Sequence, residues 1–136
     1  MGIKQDYNPK PSGNVKTVPF DSVEEAWFWF IQAQAAKNEG ARSVAGLGAV
    51  PRPCEPIDIL KIVERLYRQR RLLWEHLLVL RHYGRRLLAP DLNRAKEARA
   101  SLLWAQAIEK LQPVLEKKGI ITPSQWPFFN DMEAAE

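Results

Sequence analysis

The side chains whose type and spacing suit chemistry are cations. Lys61, Arg65 and Arg68 recur at i, i+4 and i+7, which makes them one stripe on a helix. Arg70 and Arg71 follow directly, and Arg81, Arg85 and Arg86 complete the group. Between residues 56 and 86 Arg outnumbers Lys seven to one, a balance that suits fixed, bidentate hydrogen bonding to phosphate or carboxylate. Only Asp58, Glu64 and Glu75 oppose these eight cations within that stretch, whereas residues 120–136 carry Asp131, Glu133 and Glu136 with no Lys or Arg. A positive centre and an acidic end favour an anionic partner that approaches the middle of the molecule. The competing reading is a set of solvated helix faces, with Arg71 paired to Glu75 at i, i+4 and the helix-end arginines stabilising their own helix.

Other residue types offer less. His76 and His82 are six apart, about 120° around a helix axis, which excludes the i, i+4 arrangement of two metal ligands. The single Cys54 has only Arg52 beside it to favour a thiolate, so an unreactive thiol is expected, and one Cys with two His is too few for a four-ligand zinc site. The sequence has no glycine-rich phosphate loop, no nucleophile elbow and no carboxylate pair on a strand. The expectation is therefore binding without catalysis, metal or cofactor.

The elements that must position the cations read as helices. At 136 residues with 46% apolar composition, five Trp and five Phe, the chain can bury a core. Residues 1–20 are polar and Pro-containing, and read as a flexible arm. The first helix should start at Asp21 or Ser22, where Ser22 and Glu25 have capping-box spacing, and stop at Gly40. Val23, Trp27, Phe30, Ile31 and Gln34 form one face, while Phe28 and Trp29 lie off it. Either the helix is clasped on two sides by the fold, or Trp27, Phe28 and Trp29 meet a partner protein or a second copy of the chain. Residues 41–56, with Pro51, Pro53 and Pro56, read as a long connector.

Pro56 suits a first helical position, and Ile59, Val63, Leu66 and Tyr67 supply an apolar side. No Gly or Pro interrupts residues 57–83, so the plainest expectation is one long helix ended by Gly84. Asp91 or Asn93 should cap the last helix, whose face is Leu103, Ala107, Leu111 and Val114, with a kink or fresh turn at Pro113 and a stop at Gly119. Residues 120–136 read as an aromatic, acidic tail, with Trp126, Phe128 and Phe129 as anchors for protein contact.

The segment Leu77-Leu78-Val79-Leu80-Arg81-His82-Tyr83-Gly84, followed by a helix with Leu103-Trp104 and Ala107-Ile108-Glu109-Lys110-Leu111, resembles the helix-turn-helix of sigma-factor region 4 and of phage-type antitermination regulators. The resemblance spans about residues 57–118 and implies DNA binding or contact with the transcription machinery, RNA polymerase included. The family has a short turn, whereas residues 85–93 are longer and contain Leu87, Leu88 and Pro90.

The expected fold is thus all-α: a bundle of three to four helices over residues 21–119, with a candidate helix-turn-helix and irregular ends. The expected role is nucleic-acid-binding transcription regulator, with Lys61, Arg65, Arg68, Arg70, Arg71, Arg81, Arg85 and Arg86 on phosphates. The alternative is a protein-interaction module or homodimer. No apolar stretch approaches the length needed to span a membrane, and a cytoplasmic location is expected.

Overall fold

The computed structural model describes residues 16–40 and 50–123. These form four α-helices, α1 (Val23–Asn38), α2 (Pro56–Arg68), α3 (Trp74–Arg86) and α4 (Ala98–Lys117), with a short 3-10 turn (Ala95–Glu97) leading into α4. The architecture is a small all-α bundle. No helix among the described residues is long and apolar enough to cross a membrane.

Helix α1 begins where short polar side chains can satisfy its free N–H groups. Ser22 Oγ accepts from the Glu25 N–H at 3.1 Å, and the Glu25 carboxylate accepts from the Asp21 N–H at 2.6 Å. Its buried face is Val23, Ala26, Trp27, Phe30, Ala33 and Ala36, and it packs against all three other helices. Trp27 is therefore a core residue and not an interaction residue: its Nε1 donates to the Leu80 carbonyl oxygen at 2.9 Å in the interior. Phe28 and Trp29 are half-buried and also used within the fold, Phe28 stacked on Trp104 at 5.8 Å and Trp29 against Phe20 at 5.1 Å. The clasped helix is the arrangement observed. Trp126, Phe128 and Phe129 lie outside the described residues.

The polar arm does not extend to residue 20. Phe20 is fully buried, pairs with Ile121 in an isolated parallel bridge and exchanges backbone hydrogen bonds with Ile120 and Thr122. Arg52, at the end of the connector, closes this corner: its guanidinium lies 4.2 Å over the Phe20 ring, donates to the Val18 carbonyl oxygen and pairs with Glu25 at 3.5 Å.

Pro56 opens α2 as expected, with Asp58 accepting from the Glu55 N–H at 2.8 Å. The buried side is Ile59, Ile62, Val63 and Leu66; Tyr67, expected there, is exposed, and Ile62 takes the core position. The expected single helix over 57–83 does not form. Arg70 adopts a left-handed conformation (φ 63°), the Arg70 N–H donates to Tyr67 O, and the Arg71 N–H donates to Leu66 O. This is the paired hydrogen-bond pattern of a Schellman end, built here without glycine. Leu72, two residues on, is fully buried and anchors the turn.

His76 restarts the chain as α3. Its Nδ1 accepts from the Leu73 N–H at 2.9 Å, so Nε2 carries the proton and donates to Gln106 Oε1 at 2.9 Å, tying α3 to α4. Gly84 does not end the helix: it is buried inside α3 against Trp27 and Ile31, and Leu87 (φ 54°) supplies the left-handed end. Gly84 is therefore not the pivot of a turn between two helices. The five residues 69–73 between α2 and α3 are the tight turn, while 87–94 and the 3-10 turn separate α3 from α4. Neither Asp91 nor Asn93 caps α4; Asp91 accepts from the Asn93 N–H, and Glu97 accepts from the Asp91 N–H. Helix α4 continues through Pro113 and ends at a Schellman pattern on Gly119 (φ 76°), as expected for that glycine.

Candidate nucleic-acid interface

The core side of α2, centred on Ile59, Ile62, Val63 and Leu66, forces Lys61, Arg65 and Arg68 to the opposite face by helical spacing, and all three are exposed. Arg68 pairs with Glu64 one turn back, at 3.7 Å. Lys61 and Arg65 lie beside the C-terminal end of α4, which packs on α2. Two adjoining grooves form along that seam. One, of about 370 Å³, has Lys61, Arg65 and Lys118 around Ile62 and Ile120. The second, of about 480 Å³, has Arg65, Arg71, Lys117 and Lys118 around Ile62, Leu66, Pro113 and Val114.

Arg65 and Lys118 border both grooves, so five cations form one connected border over an apolar floor. The ion pairs Arg52–Glu25, Arg68–Glu64, Arg94–Glu97 and Arg99–Glu75 use none of Lys61, Arg65, Arg71, Lys117 and Lys118. Asp58 is the one acid lining the first groove, and its Oδ2 is engaged by the Glu55 N–H. Such a strip, with five cations along one seam, attracts a polyanion more than a single small anion.

No protein-family model, curated protein or solved structure matches this chain.

The other expected contacts are distributed elsewhere. Arg81 and Arg85 lie on α3 and line a third groove, of about 430 Å³, between α1, α2 and α3, with Tyr67 and Glu64. Arg86 sits 5.5 Å over the Tyr83 ring at the end of α3. Arg70 is exposed at the turn, beside Arg71. The eight cations thus do not share one face; the turn at 69–73 divides them. The anticipated Arg71–Glu75 pair does not form, because Glu75 bonds Arg99 of α4 at 3.0 Å.

Lys117 and Lys118 were outside the expected set. Their only sequence signal is two lysines before a helix-stopping glycine, which reads equally as stabilisation of the helix end. Packing of α4 on α2 is what adds them to Lys61 and Arg65.

Cys54 borders the first groove but offers no nucleophile there. Burial, with the charges of Asp58 and Glu55, pushes its thiol from 9.0 up to about 11, against a smaller opposing effect of Arg52. The thiol is neutral at physiological pH.

Proposed function

We propose that this protein binds nucleic acid through its α2–α4 face, with DNA as the expected polymer and regulation of transcription as the process the helix-turn-helix resemblance implies. The observation that carries the reading is the connected border of Lys61, Arg65, Arg71, Lys117 and Lys118 over an apolar floor. Backbone phosphates are the ligand that matches several cations along one seam, and the reading is one of binding without catalysis.

Fluorescence anisotropy with labelled duplex DNA at two salt concentrations tests it. Five neutralised phosphates give a slope of log affinity against log salt of about −4.5, or about a 500-fold loss between about 50 and 200 mM. Absence of binding at low salt removes the reading.

A second reading, a module that docks on another protein such as polymerase or on its own copy, has a separate observation behind it. Leu87, Leu88 and Leu92 are exposed within the stretch that joins α3 to α4, and Leu102 is exposed on the first turns of α4. Light scattering over a concentration series tests the self-associating form; a monomer at every concentration excludes it.

A further inference from the structure

The turn between α2 and α3 leaves two aromatic rings in solvent. Trp74 is 58% exposed and Tyr67 41% exposed, with ring centroids 6.4 Å apart and planes inclined at 56°. The core does not need them: Leu72 fills the interior at this corner and is fully buried. Cations lie along the chain between the two rings and beyond the second. Arg68, Arg70 and Arg71 lie between Tyr67 and Trp74, all exposed, and Arg71 also borders the α2–α4 groove. On α3, Trp74, Leu78, Arg81 and Arg85 recur at i, i+4, i+7 and i+11, one exposed stripe running away from the turn. The nearby acids are occupied, Glu64 by Arg68 and Glu75 by Arg99. Arg70 also holds a left-handed conformation that a glycine would adopt without strain, so a cation stands where backbone geometry alone would select otherwise.

We infer that Tyr67 and Trp74 form a stacking platform for an unpaired nucleobase, with the turn arginines and Arg81 on the phosphates that flank it. The inference rests on the nucleic-acid reading above and narrows its substrate to polymers that present single-stranded or extruded bases. Every base has a π-face that an indole can cover, whereas in an intact duplex those faces are already occupied by neighbouring base pairs. Exposed rings accompanied by cations are the arrangement that combines stacking with backbone tracking. The same exposed aromatic and arginines could anchor a protein partner, and that outcome is separated by the test.

The test uses the full chain, with a labelled oligothymidylate single strand and a blunt duplex of equal length as probes, both at low salt. Trp74→Ala should weaken single-strand binding about tenfold, Trp74→Phe should retain most of it, and neither should change duplex binding. Circular dichroism melts of both variants establish that they fold. Single-strand affinity unchanged in Trp74→Ala, or equal losses on single strand and duplex, overturns the platform while leaving phosphate binding standing, and the former outcome leaves the ring pair to a protein contact. Binding of neither probe by the wild-type chain overturns the underlying reading and the platform with it.

Discussion

Replacing Gly84 with Ala tests whether α3 is seated as described, because two opposed effects are both measurable there. In an ordinary helix interior the exchange stabilises by about 1 kcal/mol, since glycine loses more backbone freedom on folding. At Gly84 the added Cβ would lie 2.7 Å from Trp27 Nε1 and 3.0 Å from Ile31 Cγ1. Trp27 is not free to yield: it is buried, its ring packs on Phe30 at 5.1 Å, and its Nε1 is bonded to Leu80 O. Overpacking costs about 1–3 kcal/mol. Losing the Trp27–Leu80 hydrogen bond in the interior costs about 1–3 kcal/mol more. After the helix-propensity gain, the net loss is about 1–5 kcal/mol. Urea denaturation followed by circular dichroism measures it, with Ala105→Gly on the exposed side of α4 as the control. That control should lose about 1 kcal/mol by propensity alone, so the same exchange destabilises in both directions. A Gly84→Ala protein as stable as wild type, or more so, would refute the close approach of α3 to α1.

Four further outcomes are expected. The double variant Lys117→Gln with Lys118→Gln should reduce the salt slope of DNA binding by about 1.8 while leaving the melting transition in place; an unchanged slope excludes these lysines from the interface. His76→Ala removes the acceptor for the Leu73 N–H and the partner of Gln106, and urea titration should show a loss of about 1–3 kcal/mol. Arg70→Gly relieves a left-handed non-glycine residue and should leave stability equal or raise it by up to about 1 kcal/mol, whereas a loss would mean that the arginine side chain holds the turn. Alkylation of Cys54 by iodoacetamide should rise with a midpoint near pH 11 in the folded protein and near 9 in urea. Because the folded thiol binds its proton more tightly, its contribution to stability is complete below pH 9 and lost as pH rises through 11; a folded-state midpoint near 9 refutes the burial of that thiol.

Helix starts were legible in the sequence where a local side chain or proline makes them. Ser22 with Glu25, and Pro56, act within one turn of their own position, and the structure places α1 and α2 accordingly. Helix ends were legible only where glycine marks them, at Gly40 and Gly119. Arg70 and Leu87 take the same left-handed role without that mark, at a cost of about 1–2 kcal/mol each that tertiary contacts must offset. At the first, the offset is visible in the complete burial of Leu72, a contact between distant parts of the chain that no local pattern encodes. At the second, the interruption-free reading assigned the stop to Gly84, whose missing side chain instead serves packing against Trp27. Tyr67 fell on the apolar period of α2, yet the break placed it outside, so periodicity there identified the face correctly and its last member wrongly.

The same missed turn determines what the cations can do. On one uninterrupted helix Arg65 and Arg81 would lie about 24 Å apart along a rod, with α4 free to pack anywhere along it. Ending α2 at Arg68 instead sends α3 off in a new direction at Leu72, leaves Arg65 and Arg71 on the α4 seam with Lys117 and Lys118, and brings the Tyr67 and Trp74 rings together at the corner. Sequence spacing recovered the stripe Lys61, Arg65, Arg68 because an α-helix repeats within itself. It could not recover the five-cation border, because that border joins residues more than forty positions apart through the packing of Ile62 and Leu66 beside Val114, and such pairing is decided by the core rather than by any of the charged residues it assembles.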